Sequence, residues 1–170
     1  GVLAAPGREL AGWPGTTVTA LIAGDFTGDG KADVASSWGS GLWYQNGVTL
    51  SWTKVTGSAP DSLTAGDVTG DGRSEIIGTW SSGIWYYDVA TSGWTKMTSS
   101  VPAGDIAAGD FTNDGKADVA SIWPGGLFYQ NGDTLAWTKV CGSPHDRVAG
   151  CDVTGAVRSE IIVTWNSAIW

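Results

Sequence analysis

Apolar residues in this chain come in short runs broken by Gly, Ser and Asp. "SLTAGDV" (62–68), "SEIIGTW" (74–80), "GIWYYDV" (83–89) and "GWTKMT" (93–98) are rich in β-branched and aromatic side chains. Runs of this length bounded by turn formers read as β-strands, and nowhere does the apolar spacing sustain a helical period. The pattern predicts four short strands within about 42 residues.

The same stretch recurs. Aspartates 25, 67, 110 and 152 are separated by steps of 42, 43 and 42, and Trp38, Trp80, Trp123 and Trp165 keep the same step. A second aromatic set runs Trp43, Trp85, Phe128 and Trp170, and a third Trp52, Trp94 and Trp137. Copies one and three resemble each other, as do two and four, so the larger unit is 85 residues and two such units span the chain. Four strands per repeat, repeated in phase, is the pattern of an all-β β-propeller of four-stranded antiparallel blades. Incidental repetition in a sandwich or barrel accounts poorly for four copies in register. The reading is one domain over 1–170, with repeats starting near 20, 62, 105 and 147. The last copy ends at "NSAIW", after its third strand. Residues 1–19, which include "ELAGWP" and Trp13, are expected to complete that blade and remove open strand edges.

Charge changes the picture. The net charge is −8, and 11 of the 17 acids fall inside four copies of one phrase: "DFTGDGKAD" (25–33), "DVTGDGRSE" (67–75), "DFTNDGKAD" (110–118) and "DVTGAVRSE" (152–160). Such an acidic balance argues against nucleic acid, whose phosphates call for basic residues. No segment approaches the roughly 18 apolar residues of a membrane span. "GVLAAPGREL" is too short and too poor in basic residues for a signal peptide.

The phrase places oxygens at odd positions of a tight, glycine-containing loop, which suits a hard cation such as Ca2+. Asp25, Thr27, Asp29, the Lys31 carbonyl and Asp33 form the first candidate shell. Asp110, Thr112, Asp114, Lys116 and Asp118 form an equivalent one. Copy two offers Asp67, Thr69, Asp71, Arg73 and Glu75, closing with a longer acid. An Asp-Gly hairpin turn would explain Asp29-Gly30 but not the acids at the phrase's two ends. Copy four has Ala156 and Val157 where Asp and Gly are expected, which leaves about three ion sites.

The phrase D-x-T-G-D-G-x-x-D, following an apolar strand on a period near 42, resembles the FG-GAP/VCBS repeat. That repeat builds integrin-like calcium-binding propellers and the related fungal and bacterial propeller lectins. The resemblance covers essentially the whole chain, three copies well and the fourth poorly. It implies a calcium ion between the two innermost strands of each blade and a secreted or extracellular setting. Family members usually carry seven blades. Four blades leave open closure alone, a homo-oligomer, or origin in a longer protein.

Eleven tryptophans at fixed blade positions suggest structural bridges for most of them. Trp38, Trp80 and Trp123, each beside a Ser/Gly- or Pro/Gly-containing turn, with Trp43, Trp85 and Phe128 five residues on, are also candidate platforms for glycans. The expected function is a non-catalytic carbohydrate-binding protein with several similar sites; a protein-binding, adhesion or scaffold propeller is the alternative. Catalysis is not expected. The only histidine, His145, has no counterpart in the other repeats, although Asp146 beside it matches Asp61, and no nucleophile elbow or zinc motif is present. Cys141 and Cys151 are compatible with a bridge or with two part-buried free thiols.

Overall fold

The computed structural model describes residues 3–5, 8–9, 18–39, 41–143, 145–155, 158–165 and 168–170. Every regular element among them is a strand. β1 (Leu3–Ala5) and β2 (Arg8–Glu9) pair with each other. Blade one is β3 (Val18–Gly24), β4 (Asp33–Trp38), β5 (Gly41–Gln45) and β6 (Trp52–Thr56). Blade two is β7 (Ser62–Gly66), β8 (Glu75–Trp80), β9 (Gly83–Asp88) and β10 (Gly93–Thr98). Blade three is β11 (Ile106–Gly109), β12 (Asp118–Trp123), β13 (Gly126–Gln130) and β14 (Trp137–Cys141). Among the described residues, blade four is a three-stranded sheet of β15 (Arg147–Cys151), β16 (Glu160–Trp165) and β17 (Ala168–Ile169).

All pairings are antiparallel and follow chain order, so each blade is a meander whose neighbours meet through hairpins. The innermost strands converge on a shared cavity of about 300 Å³ that takes Ile22, Thr64, Ala107 and Val148, one from each blade, into its wall. This is the propeller the sequence predicts, with four blades. The strand expected to complete the last blade falls on residues that include 10–17, which lie outside the described residues. Arg8–Glu9 itself pairs with β1.

The hydrophobic core lies between blades rather than inside any one. Phe26, Ala35 and Leu42 of blade one pack with Leu63, Ile76 and Tyr87 of blade two. Val68, Ile77, Ile84 and Met97 pack with Ile106, Ala117 and Val119 of blade three, and Ile122 and Leu127 meet Val163 of blade four. Sheets covered on both faces need apolar residues at successive positions, which is why Glu75–Trp80 is buried along nearly its whole length.

A repeated backbone bond fixes each joint. The Ser74 N–H donates to the Asp25 carbonyl at 2.9 Å, Ala117 to Asp67 at 2.6 Å, and Ser159 to Asp110 at 2.8 Å. The joint between blades two and three is reinforced further. The Ala108 N–H donates to Thr64 Oγ1 at 3.0 Å, and Gln130 Nε2 donates to the Met97 carbonyl at 3.1 Å, both between blades two and three. Such close approach requires a residue without a side chain just before the first aspartate. A Cβ at Gly66 would lie 2.8 Å from the Ala117 Cβ and 2.9 Å from the Ala108 Cβ.

Gly66→Ala should therefore destabilise the fold by about 1–3 kcal/mol, as overpacking does. Gly57→Ala, where an added Cβ meets nothing within 4 Å, should stay within about 0.5 kcal/mol of the parent. Urea unfolding of both variants checks the difference.

Candidate functional site

The acidic loops sit between the two innermost strands of each blade, closed by the pairs Gly24↔Asp33, Gly66↔Glu75 and Gly109↔Asp118. In the first loop Asp25 accepts backbone N–H groups from Gly28 at 2.7 Å, Asp29 at 3.1 Å and Gly30 at 2.8 Å. Asp33 accepts from Phe26 and Thr27, each at 2.9 Å, and from Gly47 at 2.8 Å. Glycines 28 and 30 hold φ of 74° and 80°, and Asn113, standing at the position of Gly28 in the third loop, holds 61°. Asparagine tolerates that left-handed region better than other side chains.

A residue far along the chain separates the loops. In loop one, Asn46 Nδ2 donates to Thr27 Oγ1 at 3.1 Å and to Asp29 Oδ2 at 3.4 Å. In loop three, Asn131 Nδ2 donates to Thr112 Oγ1 at 3.1 Å, Asp114 Oδ2 at 2.9 Å and Asp118 Oδ1 at 3.1 Å. That amide holds Asp114 below the ordinary carboxylate range, while burial pushes Asp118 up against the bonds it accepts. The corresponding residue in blade two is Asp88, whose carboxylate turns instead to the Thr91 hydroxyl at 2.6 Å and the Ala90 N–H at 2.8 Å.

Loop two thus has acids without an amide among them. Asp67, Asp71 and Glu75 bring one oxygen each to within 4.8 Å of one another, a cluster that can hold a metal ion. Glu75 is 1% exposed, and burial pushes its carboxyl up to about 7, against N–H bonds from Val68 and Thr69. The lone pairs not engaged by the backbone, together with the Thr69 hydroxyl, fit the oxygen preference of a hard cation. In loops one and three a neutral amide already donates into the space between the acids. Sequence matching ranks those two loops first; the geometry favours loop two. In loop four Asp152 accepts from Gly155 at 2.6 Å, and Glu160 accepts from Val153 at 2.9 Å and from Thr154 at 2.8 Å. Ala156 and Val157 lie outside the described residues. Lys31, Arg73 and Lys116, proposed as carbonyl donors, are at the loop surface, where Lys116 pairs with Asp133 and Arg73 approaches Asp71 at 3.8 Å.

The aromatic sets form a second feature, at the outer edges of the blades. Trp123, Pro124, Gly125, Phe128 and Trp137 line a cavity of about 380 Å³ in blade three. The equivalent in blade two, about 340 Å³, takes Trp80, Trp85 and Trp94 with the hydroxyl residues Thr56, Ser58, Ser81 and Ser82. In each, the tryptophan of the second strand meets that of the outer strand edge-on: Trp80 and Trp94 at 5.4 Å, Trp123 and Trp137 at 5.5 Å. Lysines cover the third-strand aromatics, with Lys54 over Trp43 at 5.3 Å, Lys96 over Trp85 at 5.1 Å and Lys139 over Phe128 at 5.5 Å.

Trp38 is placed differently. It is 1% exposed, stacked on Trp43 at 5.7 Å and met edge-on by Trp52 at 5.3 Å, so it presents no face to a ligand. Trp94 and Trp137, which sequence reasoning leaves as structural bridges, instead form one wall of each pocket. Their shared period with Trp80 and Trp123 is the signal that links them. Cys141 and Cys151 are both free thiols.

No family model matches the chain, and no curated protein matches it. Among solved structures, the fold is similar to that of an Agrocybe aegerita lectin described for its specific recognition of non-reducing terminal N-acetylglucosamine, with a TM-score of 0.65 and 19% identity. The match covers 91% of this chain and 49% of that one, so the chain spans about half the length of the lectin.

Glu75 generates a pH dependence. Held up at about 7 from an ordinary 4.5, it binds more protons folded than unfolded between those values. Ion-free stability should therefore be fullest below that window and fall as pH rises through it. Melting curves in chelator from about pH 4 to about pH 8 should show the decline, and Glu75→Gln should flatten it. A parent profile without the decline would overturn the assignment.

Proposed function

We propose that this chain is a non-catalytic carbohydrate-binding propeller, with repeated sites in the aromatic pockets of its blades and calcium in its acidic loops. The observation that carries the reading is the recurrence of one pocket, built from the same three strand positions, in blades two and three. Their volumes match small-ligand sites, which join apolar walls to a few polar groups. A sugar ring has the same character: C–H faces that lie on indole, and hydroxyls that bond Ser58, Ser81 or Ser82. Sites of modest affinity gain from repetition when the target surface displays many copies. The setting that goes with such a target is secreted or extracellular.

The likeness to a lectin supports this reading and supplies terminal N-acetylglucosamine as the first sugar to test. Nothing in the pockets resembles a catalytic pair, and His145 packs on Trp165 and Cys141 instead. Calcium occupies loop two first, held by Asp67, Asp71 and Glu75. Loops one and three take an ion when Asn46 or Asn131 turns its amide aside. The ion would offset the repulsion among clustered acids and fix the loop.

Titration on immobilised glycans, beginning with N-acetylglucosamine, tests the sites. Trp137→Ala should weaken binding to a multivalent surface about tenfold, or ~1.4 kcal/mol, with little change in melting temperature, since Trp137 is 39% exposed. Trp38→Ala should do the reverse, destabilising by about 3–5 kcal/mol as buried aromatic truncations do. Absence of binding to every glycan tried would overturn the reading.

A chelator should lower the melting temperature of calcium-loaded protein, by up to about 2.7 kcal/mol of stability if the ion is present at a hundredfold its dissociation constant. Asp71→Ala should shrink that effect more than Asp29→Ala. Equal effects would contradict the ranking of the loops.

A further inference from the structure

We infer that blade two carries a second, polar subsite beside its aromatic pocket, and that the ligand spanning both is a neutral oligosaccharide rather than a single sugar. The inference rests on the carbohydrate-binding reading above and adds the length and charge of the ligand at one of its sites.

The step of the repeats is interrupted once, and the interruption marks the place. Trp94 stands 16 residues ahead of Asp110, whereas Trp52 and Trp137 stand 15 ahead of Asp67 and Asp152. The extra residue falls in the connection from β10 to β11. That connection forms one side of a cavity of about 320 Å³ between blades two and three.

The cavity has the chemistry of a polyol site. Val101 and Pro102 give it an aliphatic surface, Ser62 and Thr79 bring hydroxyls, and Asp61 brings a carboxylate. Ser62 Oγ accepts the Ile106 N–H at 3.4 Å across the joint, which keeps its own proton free to donate. Asp61 is exposed and enters no ion pair among the described residues. Sugar hydroxyls can donate to that carboxylate while the C–H face of the ring lies on Pro102. No lysine or arginine lines the cavity, so an acidic sugar would meet Asp61 with nothing to offset the repulsion.

The polar cavity and the aromatic pocket flank one strand end. Successive side chains of a strand point to opposite faces. Thr79, opposite Ser62 and Ile84 in the ladder, faces blade three, and Trp80 packs toward blade one. One segment leads from pocket to pocket: Ser58 lines the aromatic one and Asp61 the polar one, with Ser58, Ala59 and Asp61 exposed along the way. Packed sheets stand roughly 10 Å apart, so pockets on the two faces of one sheet are further apart than one sugar ring spans. Two or more rings are needed to fill both.

Blade three lacks the second half. Ile122 stands where blade two has Thr79. Across the next joint Asp105 and Arg147 take the positions of Ser62 and Asp105, and Arg147 Nη1 donates to Asp105 Oδ2 at 2.8 Å. That ion pair consumes the polar groups a sugar would use. Blade three therefore holds a single ring and blade two a longer chain.

Calorimetry on the full chain carrying Trp137→Ala, which weakens the blade-three pocket, tests the inference. The probes are the best-bound neutral oligosaccharide from a glycan array and the monosaccharide of its terminal unit. The oligosaccharide should bind about tenfold more tightly than the monosaccharide. Asp61→Ala should remove that gain and leave both the monosaccharide affinity and the melting temperature unchanged. Asp61→Asn, which keeps an acceptor oxygen, should retain most of the gain, and Trp94→Ala should weaken both probes. Equal affinity for the two probes, or a gain indifferent to Asp61→Ala, overturns the inference and leaves the single-sugar reading standing. Absence of binding to every glycan overturns both.

Discussion

One aspartate in each of the first three repeats couples the acidic loop to the joint between blades. The Asp25 carboxylate gathers three N–H groups of its own loop, and its carbonyl receives the N–H of Ser74 from the next blade. Asp67 does the same for blades two and three, with Gly70, Asp71 and Gly72 on the carboxylate and Ala117 on the carbonyl. The loop cannot change shape without moving the acceptor that holds its neighbour. An ion bound beside Asp67 would therefore act on the joint as well as on the loop. Backbone donors in irregular segments must find partners, and here one side chain meets that demand for a whole turn.

That coupling explains why the phrase repeats so faithfully while the strands around it vary. It also explains the departures. Copy four, whose aspartate carbonyl receives no backbone N–H across a joint among the described residues, is the copy that has lost Asp and Gly from its middle, and Cys151 stands where the other copies have glycine.

Much of this was legible in the sequence because it is local. Alternation and turn residues give the strands, and the common step of the aspartates and tryptophans gives the blades. What escaped depends on residues distant in sequence. Asp25 and Asp67 head nearly identical phrases, yet Asn46 in one blade and Asp88 in the other decide whether an amide or an open cluster of acids results. Trp38 and Trp80 occupy the same slot, but stacking by Trp43 buries the first, while Trp80 lines an open pocket with Trp94. Repetition predicts equivalent positions; it does not predict equivalent surroundings.

The joints also stand in series. Among the described residues, blades two and three are clasped on both sides, whereas blades one and four each have one partner, and the main strand contacts run between neighbouring blades as in other repeat architectures. Local opening under these conditions starts at the least clasped strands. Amide protons of β8 and β12 would thus be the slowest to exchange with solvent, and those of β16 and β17 among the fastest. The pockets of blades two and three fall within the most persistent part of the molecule, so ligand sites outlast the fraying of the edges that flank them.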